Sequence, residues 1–205
     1  MNLPNKITLS RIFVVPILMV FIMPIPDSII NAGFLLSMRP QMEAFNQFLS
    51  LYGGYIAAAI FIIASSTDAV DGYIARKRQQ VTRFGKFLDP IADKLLVTAA
   101  LLALVQNGHV NGWAAMLIIS REFIVTGLRL VAAGEGVVIA ASKLGKLKTV
   151  LQDIAIVAAL LDNFPISLFS DFKFDVYAMI LAVIITIYSL YDYIKKNLNV
   201  IDTNS

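Results

Sequence analysis

The sequence predicts an all-α integral membrane protein with six transmembrane helices, and its composition and its apolar runs are the observations behind this prediction. Of its 205 residues, 58% are hydrophobic and only 15% are charged, and the mean hydropathy is +0.76. A soluble domain is closer to half apolar and a quarter charged, so a core of this size has no room for the excess. The same figures exclude a disordered chain. Because the chain has no cysteine and a single histidine, disulfide scaffolds, thiolate sites and zinc sites built on several imidazoles are excluded as well.

The apolar residues are gathered into six runs along the chain. Several runs need flanking polar turns to reach the roughly 20 residues that cross about 30 Å of hydrocarbon. The second run is expected to continue as a helix into the charged segment that follows it. No internal repeat is visible, so we expect one membrane domain over residues 1–205. The runs cover about Ile12–Met23, Gly53–Ala64, Ile91–Val105, Trp113–Ala132, Val150–Leu161 and Val176–Tyr193.

The segments around the first run are predicted to lie at the membrane surface. Pro4–Arg11 is interpreted as an N-terminal interfacial amphipathic helix that leads into the first span. A signal peptide is disfavoured, because Pro24 and Pro26 end the apolar run where a small-residue cleavage site would follow. The stretch Pro24–Leu51 is the long external connection, and we expect a surface amphipathic helix within it.

Lysine and arginine placement predicts the orientation. One set of run ends carries nearly all of the basic residues, whereas the opposite loops carry only Arg39 and Lys173. With six spans the two sets alternate, so both termini and a polar cavity are predicted on the cytoplasmic side of the cell (plasma) membrane. The basic set contains Lys6, Arg11, Arg76, Lys77, Arg78, Arg83, Lys86, Lys143, Lys146, Lys148, Lys195 and Lys196.

Four aspartates stand at the ends of the second and third runs, and acidic groups at membrane depth usually mark a functional site. The segment from position 68 to position 94 reads DAVDGYIARKRQQVTRFGKFLDPIADK. Asp68 and Asp71 are at i and i+3, and Asp89 and Asp93 are at i and i+4, so each pair shares a helix face. Pro90 fits the first turn of a helix, which places Asp89 at or near its N-terminus. The two helices are expected to be antiparallel, so that the carboxylates converge between them.

Four converging carboxylates would repel one another, and divalent cations relieve this repulsion. Oxygen ligands without His or Cys suit Mg²⁺, Mn²⁺ or Ca²⁺, and two such ions form a phosphoryl-transfer site. Gly72 and Gly85 allow a substrate or a helix to approach the backbone, and Arg76 is suited to clamping a phosphate. Each aspartate has a structural alternative, which is helix capping or pairing with the basic residues at positions 76–78.

This segment resembles the CDP-alcohol phosphatidyltransferases, whose signature is D-x2-D-G-x2-A-R-x8-G-x3-D-x3-D. The chain fills every fixed position, with Asp68, Asp71, Gly72, Ala75, Arg76, Gly85, Asp89 and Asp93. The resemblance implies a homodimeric membrane enzyme with two divalent ions, Mg²⁺ or Mn²⁺, that moves a phosphatidyl group from a CDP-lipid to an alcohol and releases CMP. It implies that Asp68, Asp71 and Asp89 are metal ligands, and that Asp93 is the general base and a further ligand. It places Gly72, Ala75, Arg76 and Gly85 near the cytidine nucleotide.

Three further segments are similar to the bacterial members of this family that make phosphatidylglycerophosphate. They read LPNKITLSR, ISREFIVTGLR and SKLGKLKTVLQ, in this order along the chain. The similarity implies CDP-diacylglycerol as donor and sn-glycerol 3-phosphate as acceptor, with the bilayer as a partner and no nucleic acid. Asn5, Thr8 and Arg11 are expected to line the entrance or to contact the nucleotide.

Basic residues in the second half of the chain fit an acceptor that carries a phosphate. Arg121 and Glu122 lie inside the fourth run, and a buried arginine in a span needs a partner or an anionic ligand. Glu122, Thr126 and Arg129 follow helical spacing along one stripe. The predicted acceptor-phosphate set is Arg121, Arg129, Lys143, Lys146 and Lys148.

Each of these residues also has a structural interpretation. Arg121 can pair with Glu122 or with a motif aspartate, and the three lysines can be ordinary cytoplasmic cations attracted to anionic lipid. His109, in a predicted external turn, is interpreted as a bystander.

Other functions stay open at the level of the sequence. Inositol phosphate, serine or phosphatidylglycerol would be alternative acceptors for the same chemistry. A metal-ion transporter is disfavoured, because the carboxylates cluster on one side and no repeated halves are visible. A lipid-binding scaffold with a structural metal is the third class.

Overall fold

The computed structural model describes the backbone of residues 3–78, 83–134, 139 and 142–197. Side chains are described for the same residues except 3–9, 68–78, 83–90, 93 and 143. Helices account for nearly all of this part, and it contains no strand. The predicted all-helical class is therefore confirmed.

Each predicted apolar run lies in a long helix, and shorter helices fill the first long connection. The predicted surface helix between Pro24 and Leu51 corresponds to α3, whose exposed Arg39 and Glu43 form an ion pair of 2.7 Å. The α-helices are α1 (Leu3–Ile22), α2 (Asp27–Ile30), α3 (Arg39–Phe48), α4 (Gly54–Arg78), α5 (Arg83–Gln106), α6 (Gly112–Gly134), α7 (Lys143–Leu160) and α8 (Phe174–Lys196). A 3₁₀ turn (Gly33–Met38) precedes α3, a π turn (Leu49–Gly53) follows it, and a short 3₁₀ turn (Ile166–Leu168) precedes α8.

The starts of α1 and α5 bear on two expectations from the sequence. Helix α1 runs without interruption from Leu3 to Ile22, so the segment Pro4–Arg11 is continuous with the first apolar run. Helix α5 begins at Arg83, and Asp89 and Pro90 lie about two turns inside it. The expectation that Asp89 stands near a helix N-terminus is therefore wrong. Proline prefers the first turn, but the interior of a membrane helix tolerates it where neighbouring groups satisfy the freed carbonyl.

The chain forms two compact units, and the first contains residues 1–109 and 160–162. Within it, α1 packs against both α4 and α5. Small side chains allow the close packing, as is common between membrane helices. The buried small residues on α4 and α5 include Ala57, Ala58, Ala92, Ala99, Ala100 and Ala103.

Two adjacent glycines lie very close to the backbone of neighbouring segments in this unit. A Cβ at Gly53 would overlap the carbonyl oxygen of Phe21, and one at Gly54 would overlap that of Leu160. No larger residue fits at either position without moving a backbone. This explains why the π turn and the start of α4 carry Gly-Gly.

Asparagine side chains fasten the loops of the first unit to its helices. Asn46 accepts a hydrogen bond from the Ile25 amide (2.8 Å) and donates one to the Ile25 carbonyl (2.9 Å). Asn107 donates to the carbonyl of Ile22 at the end of α1 (2.8 Å). These bonds satisfy backbone groups that the ends of the helices leave unpaired.

The second unit contains residues 110–159 and 163–205, and its α6 and α8 pack together. Helix α8 differs from a helix of a soluble protein, because Thr186 and Ser189 are buried whereas Ile180, Ile184 and Ile187 are exposed. Its buried face is Met179, Ala182, Thr186, Ser189 and Tyr193. Its exposed apolar residues include Ile180, Leu181, Ile184, Ile187, Tyr188 and Tyr191. Lipid tolerates such a surface, whereas polar groups in a bilayer face the protein interior.

Two helical stretches in the described part are long and apolar enough, by length and composition alone, to cross a membrane. They are Gly33–Thr67 and Phe174–Lys196, each with a mean hydropathy of 1.9. Ser10–Ile22 and Lys94–Gln106 are shorter apolar helices. Helix α6 carries Arg121, Glu122 and Arg129 inside an otherwise apolar sequence.

Candidate active site

The aspartate motif is distributed over α4 and α5 of the first unit. Positions 68 and 71 lie one turn apart on α4, and positions 89 and 93 lie one turn apart on α5. The other motif positions are 72, 75 and 76 on α4 and 85 on α5. The side chains of Asp68, Asp71, Gly72, Ala75, Arg76, Gly85, Asp89 and Asp93 lie outside the described residues.

The N-terminal candidates all belong to α1. The side chains of Asn5 and Thr8 lie outside the described part, whereas Arg11 is buried, with 5% of its surface exposed. Arg11 borders a cavity of about 380 Å³ between α1 and α4. The cavity is lined by three polar residues, Ser10, Arg11 and Thr67, and otherwise by apolar side chains. Its lining is Ser10, Arg11, Val14, Ile17, Ile60, Ile63, Ala64 and Thr67.

In the second unit, a buried ionic cluster joins three helices. Arg121 and Glu122 of α6 are 8% and 5% exposed, and Lys148 of α7 is 1% exposed. Glu122 Oε1 accepts hydrogen bonds from Arg121 Nη1 (3.2 Å) and from Lys148 Nζ. Arg121 Nη2 donates to Ser189 Oγ of α8 (2.8 Å). One carboxylate oxygen therefore holds two cations side by side.

Several buried polar atoms of the second unit have no hydrogen-bond partner among the described residues. They are Arg121 Nε, Gln152 Oε1, Thr186 Oγ1 and Tyr193 Oη, together with Asp175 Oδ1 at the start of α8. Gln152 lies one turn beyond Lys148, and Thr186 lies one turn before Ser189. Arg121 Nε is the charged donor among these atoms, and its buried N–H indicates a water or an anion that completes it.

The first turn of α7 lies beside the arginine of the cluster. Ser142 caps this helix, because its Oγ accepts a hydrogen bond from the Gly145 amide (3.0 Å). A Cβ at Gly145 would lie 3.8 Å from Arg121 Nη2. The guanidinium and the positive end of the α7 dipole therefore face the same region, which favours an anion.

The remaining basic candidates are placed differently. Arg129 is exposed, and its Cζ lies 5.7 Å from the centre of the Tyr193 ring, within cation–π distance. Lys146 is exposed, and the side chain of Lys143 lies outside the described part. The alternative that Lys148 is a lipid-facing cation is wrong, because it is buried against Glu122. The pairing of Arg121 with Glu122 is confirmed.

Sequence reasoning missed Ser189, Gln152 and Thr186. The signal that would have found them is their polarity within apolar helices, because a polar residue in a span faces protein more often than lipid. His109 is an exposed turn residue, and its Nδ1 is 3.7 Å from Asp162 Oδ1.

Comparison with known proteins identifies the family. The family model described as CDP-alcohol phosphatidyltransferase matches residues 1–188. The chain belongs to the CDP-alcohol phosphatidyltransferase family. A CDP-diacylglycerol–glycerol-3-phosphate 3-phosphatidyltransferase of Bacillus subtilis is 49% identical over 205 residues, which are 100% of this chain and 99% of the relative. The Haemophilus influenzae protein of the same name is 35% identical, over 95% of this chain and 92% of its own. A probable phosphatidylglycerophosphate synthase of Mycobacterium tuberculosis is 35% identical, over 96% and 82%.

The donor set of this CDP-alcohol phosphatidyltransferase fits the divalent metal on which the family generally depends. The motif supplies four carboxylates and no nitrogen or sulfur ligand, which is the chemistry that Mg²⁺ and Mn²⁺ prefer. Two of the carboxylates belong to α4 and two to α5, and the members of each pair are one turn apart. The set therefore combines ligands from two helices of one unit. Among the side chains that the structure describes, no group of three His, Asp or Glu offers another such site.

Proposed function

We propose that this protein transfers a phosphatidyl group from CDP-diacylglycerol to sn-glycerol 3-phosphate, giving phosphatidylglycerophosphate and CMP. The observation that carries the choice of acceptor is the buried cationic cluster of the second unit. Two cations share Glu122, and Arg121 keeps a buried N–H without a partner among the described residues. A phosphate-bearing acceptor brings a net negative charge to this pocket, whereas serine is a zwitterion without net charge. The 49% identity to the Bacillus subtilis transferase over the whole chain supports the same reaction.

The donor belongs to the first unit in this proposal. Asn5 and Thr8 of α1 and the motif residues Gly72, Ala75, Arg76 and Gly85 contact the CDP-diacylglycerol head group. The two glycines let the nucleotide approach the helix backbone, and Arg76 offers a bidentate donor to a phosphate. The cavity beside Arg11 supports this arrangement, because its lining includes Thr67, the residue before Asp68.

Asp68, Asp71, Asp89 and Asp93 would hold two divalent ions, Mg²⁺ or Mn²⁺. When bound, such ions neutralise the charge of the donor pyrophosphate and of the leaving group. Asp93 takes the proton from the 1-hydroxyl of the acceptor, for which it must lie within hydrogen-bond reach. The acceptor oxygen forms a bond to the phosphorus that bears diacylglycerol, and the bond from this phosphorus to the CMP oxygen breaks.

The acceptor phosphate is held by residues of the second unit. Arg121 offers its Nε–H, which has no partner among the described residues, and lies beside the first turn of α7. Lys148 adds a second buried cation. Arg129, Lys143 and Lys146 complete the proposed set. Charge-assisted hydrogen bonds of this kind are about twice as strong as neutral ones and suit a phosphate.

We further propose a multi-pass arrangement with one membrane domain over residues 1–205, six spans and an N-terminal interfacial helix within α1. Both termini and the site face the cytoplasm at the plasma membrane, and two chains form a homodimer. The family model supports the single domain, because it continues over residues 1–188. The concentration of lysine and arginine at one set of helix ends supports the orientation.

A CMP-release assay on purified protein tests the function. CDP-diacylglycerol is supplied with Mg²⁺ or Mn²⁺ and with glycerol 3-phosphate, inositol phosphate, serine or phosphatidylglycerol in turn. We expect release with glycerol 3-phosphate and none after exhaustive EDTA treatment, restored by either metal. Release that persists without metal contradicts the proposed metal site, and release with another acceptor alone contradicts the proposed substrate.

A further inference from the structure

The buried cluster of the second unit assigns a role to two residues that no resemblance names. We propose that Glu122 and Ser189 are positioning residues, which hold the side chains of Arg121 and Lys148 in the geometry that binds the acceptor phosphate. This inference rests on the proposed function. It adds the residues that set the affinity for glycerol 3-phosphate without touching it.

The contacts of Arg121 fix its orientation. Its guanidinium is planar and carries N–H groups on three nitrogens. Nη1 is held by Glu122 Oε1 at 3.2 Å, and Nη2 is held by Ser189 Oγ at 2.8 Å. These two contacts come from α6 and α8, so they fix the plane of the group and leave Nε, which is buried without a hydrogen-bond partner among the described residues.

The charge of Glu122 explains how two cations lie close together inside the protein. Arg121 and Lys148 both donate to Glu122 Oε1, and at 8% and 1% exposure neither is surrounded by water. Without the carboxylate, the two cations would repel each other in a medium of low dielectric constant. With it, the three side chains carry one net positive charge, which suits an anionic ligand.

Ser189 is uncharged and acts on Arg121 only by accepting a hydrogen bond from it in this proposal. Its side chain is buried, at 1% exposure, on the inner face of α8. Thr186 lies one turn away on the same face at 0% exposure, and its hydroxyl has no hydrogen-bond partner in the described part of the chain. Ser189 and Thr186 are therefore a matched pair, because Ser189 accepts a hydrogen bond from Arg121 and the Thr186 hydroxyl makes none with the described residues.

The test compares the variants Glu122→Gln, Ser189→Ala and Thr186→Val with the wild-type protein. Initial rates of CMP release are measured at varied concentrations of glycerol 3-phosphate and, in a separate series, of CDP-diacylglycerol. Size-exclusion chromatography in detergent checks that each variant is folded. We expect Glu122→Gln to raise the KM for glycerol 3-phosphate about tenfold, because the amide oxygen can still accept hydrogen bonds but no longer offsets the charge of the two cations. We expect Ser189→Ala to raise it about fivefold, because this variant removes a hydrogen bond to the guanidinium. The KM for CDP-diacylglycerol should change by less than about twofold in both, and Thr186→Val should leave both constants within that range.

A double-mutant cycle separates positioning from a general loss of stability. If Ser189 acts through Arg121, Ser189→Ala should raise the KM about fivefold in the wild-type protein and less than about 1.5-fold in Arg121→Lys. The proposal would be overturned if Ser189→Ala raised the KM for glycerol 3-phosphate equally in the wild-type and Arg121→Lys proteins. It would also be overturned if the KM for CDP-diacylglycerol rose by the same factor as the KM for glycerol 3-phosphate. If the Glu122→Gln protein does not fold, the Ser189→Ala variant and the double-mutant cycle still test the positioning role. If CMP release by the wild-type protein does not depend on glycerol 3-phosphate, the proposed function itself is overturned. If it does depend on glycerol 3-phosphate but the variants keep the wild-type KM for this acceptor, only the present inference is overturned.

Discussion

Replacing Arg121 by lysine tests whether this side chain binds the acceptor phosphate through its shape as well as its charge. Lysine keeps the positive charge but has one nitrogen, whereas Arg121 donates from Nη1 to Glu122 and from Nη2 to Ser189, and its Nε has no partner among the described residues. A lysine that stays paired with Glu122 loses the contact with Ser189 and the N–H that Nε offers. A hydrogen bond involving a charged group contributes about 1.5–3 kcal/mol. Since about 1.4 kcal/mol is a factor of ten, losing one such bond to the phosphate raises the KM roughly 10- to 100-fold.

The assay is CMP release at saturating CDP-diacylglycerol with glycerol 3-phosphate varied over three orders of magnitude. Arg39→Lys is the matched control, because Arg39 is exposed and, among the described residues, forms an ion pair with Glu43 alone. We expect the control to leave the KM unchanged. A folded Arg121→Lys protein with a KM within about twofold of the wild-type value would refute the reasoning, because the loss of a single hydrogen bond to a charged group predicts a larger increase in KM.

Three further predictions concern the fold and the chemistry. Gly54→Ala should lower the unfolding temperature in detergent, because its Cβ meets the Leu160 carbonyl and overpacking costs about 1–3 kcal/mol; Gly127→Ala, which meets nothing within 4 Å, should not lower it. Asn46→Ala should lower the free energy of unfolding by about 2 kcal/mol, because it removes two hydrogen bonds to Ile25, and an unchanged thermal transition would contradict this. Asp93→Asn should abolish turnover while CDP-diacylglycerol binding, measured by calorimetry, persists, and near-normal CMP release would exclude Asp93 as the base.

The helices of this protein could be predicted because their signal is local. Each apolar run of the sequence lies in a helix, and the turn residues around Asn107 and Asn163 lie between helices. Helix α5 shows the limit of local rules, since Pro90 favours a first turn but the helix begins at Arg83. The preference of one residue is small compared with the packing of a whole helix, so tertiary context decides the boundary.

The candidate site could be predicted only in part, for a similar reason. The aspartate motif lies within 26 residues, so its spacing on two adjacent helices can be read from the sequence. The partners of Arg121 are not local, because Ser189 is 68 positions away and Lys148 is 26 positions from Glu122. Which buried polar groups meet across helices depends on packing, and no periodicity in one helix contains that information. Sequence reasoning therefore found the cations and missed the serine that orients one of them.

The most direct test of the central claim follows radiolabelled glycerol 3-phosphate into lipid. Purified protein is incubated with CDP-diacylglycerol, Mg²⁺ and the labelled acceptor, and the organic phase and released CMP are quantified together. The account predicts that label enters a lipid with the mass of phosphatidylglycerophosphate, in equal amounts with CMP. Label that remains in the aqueous phase, while another alcohol drives CMP release, would contradict it.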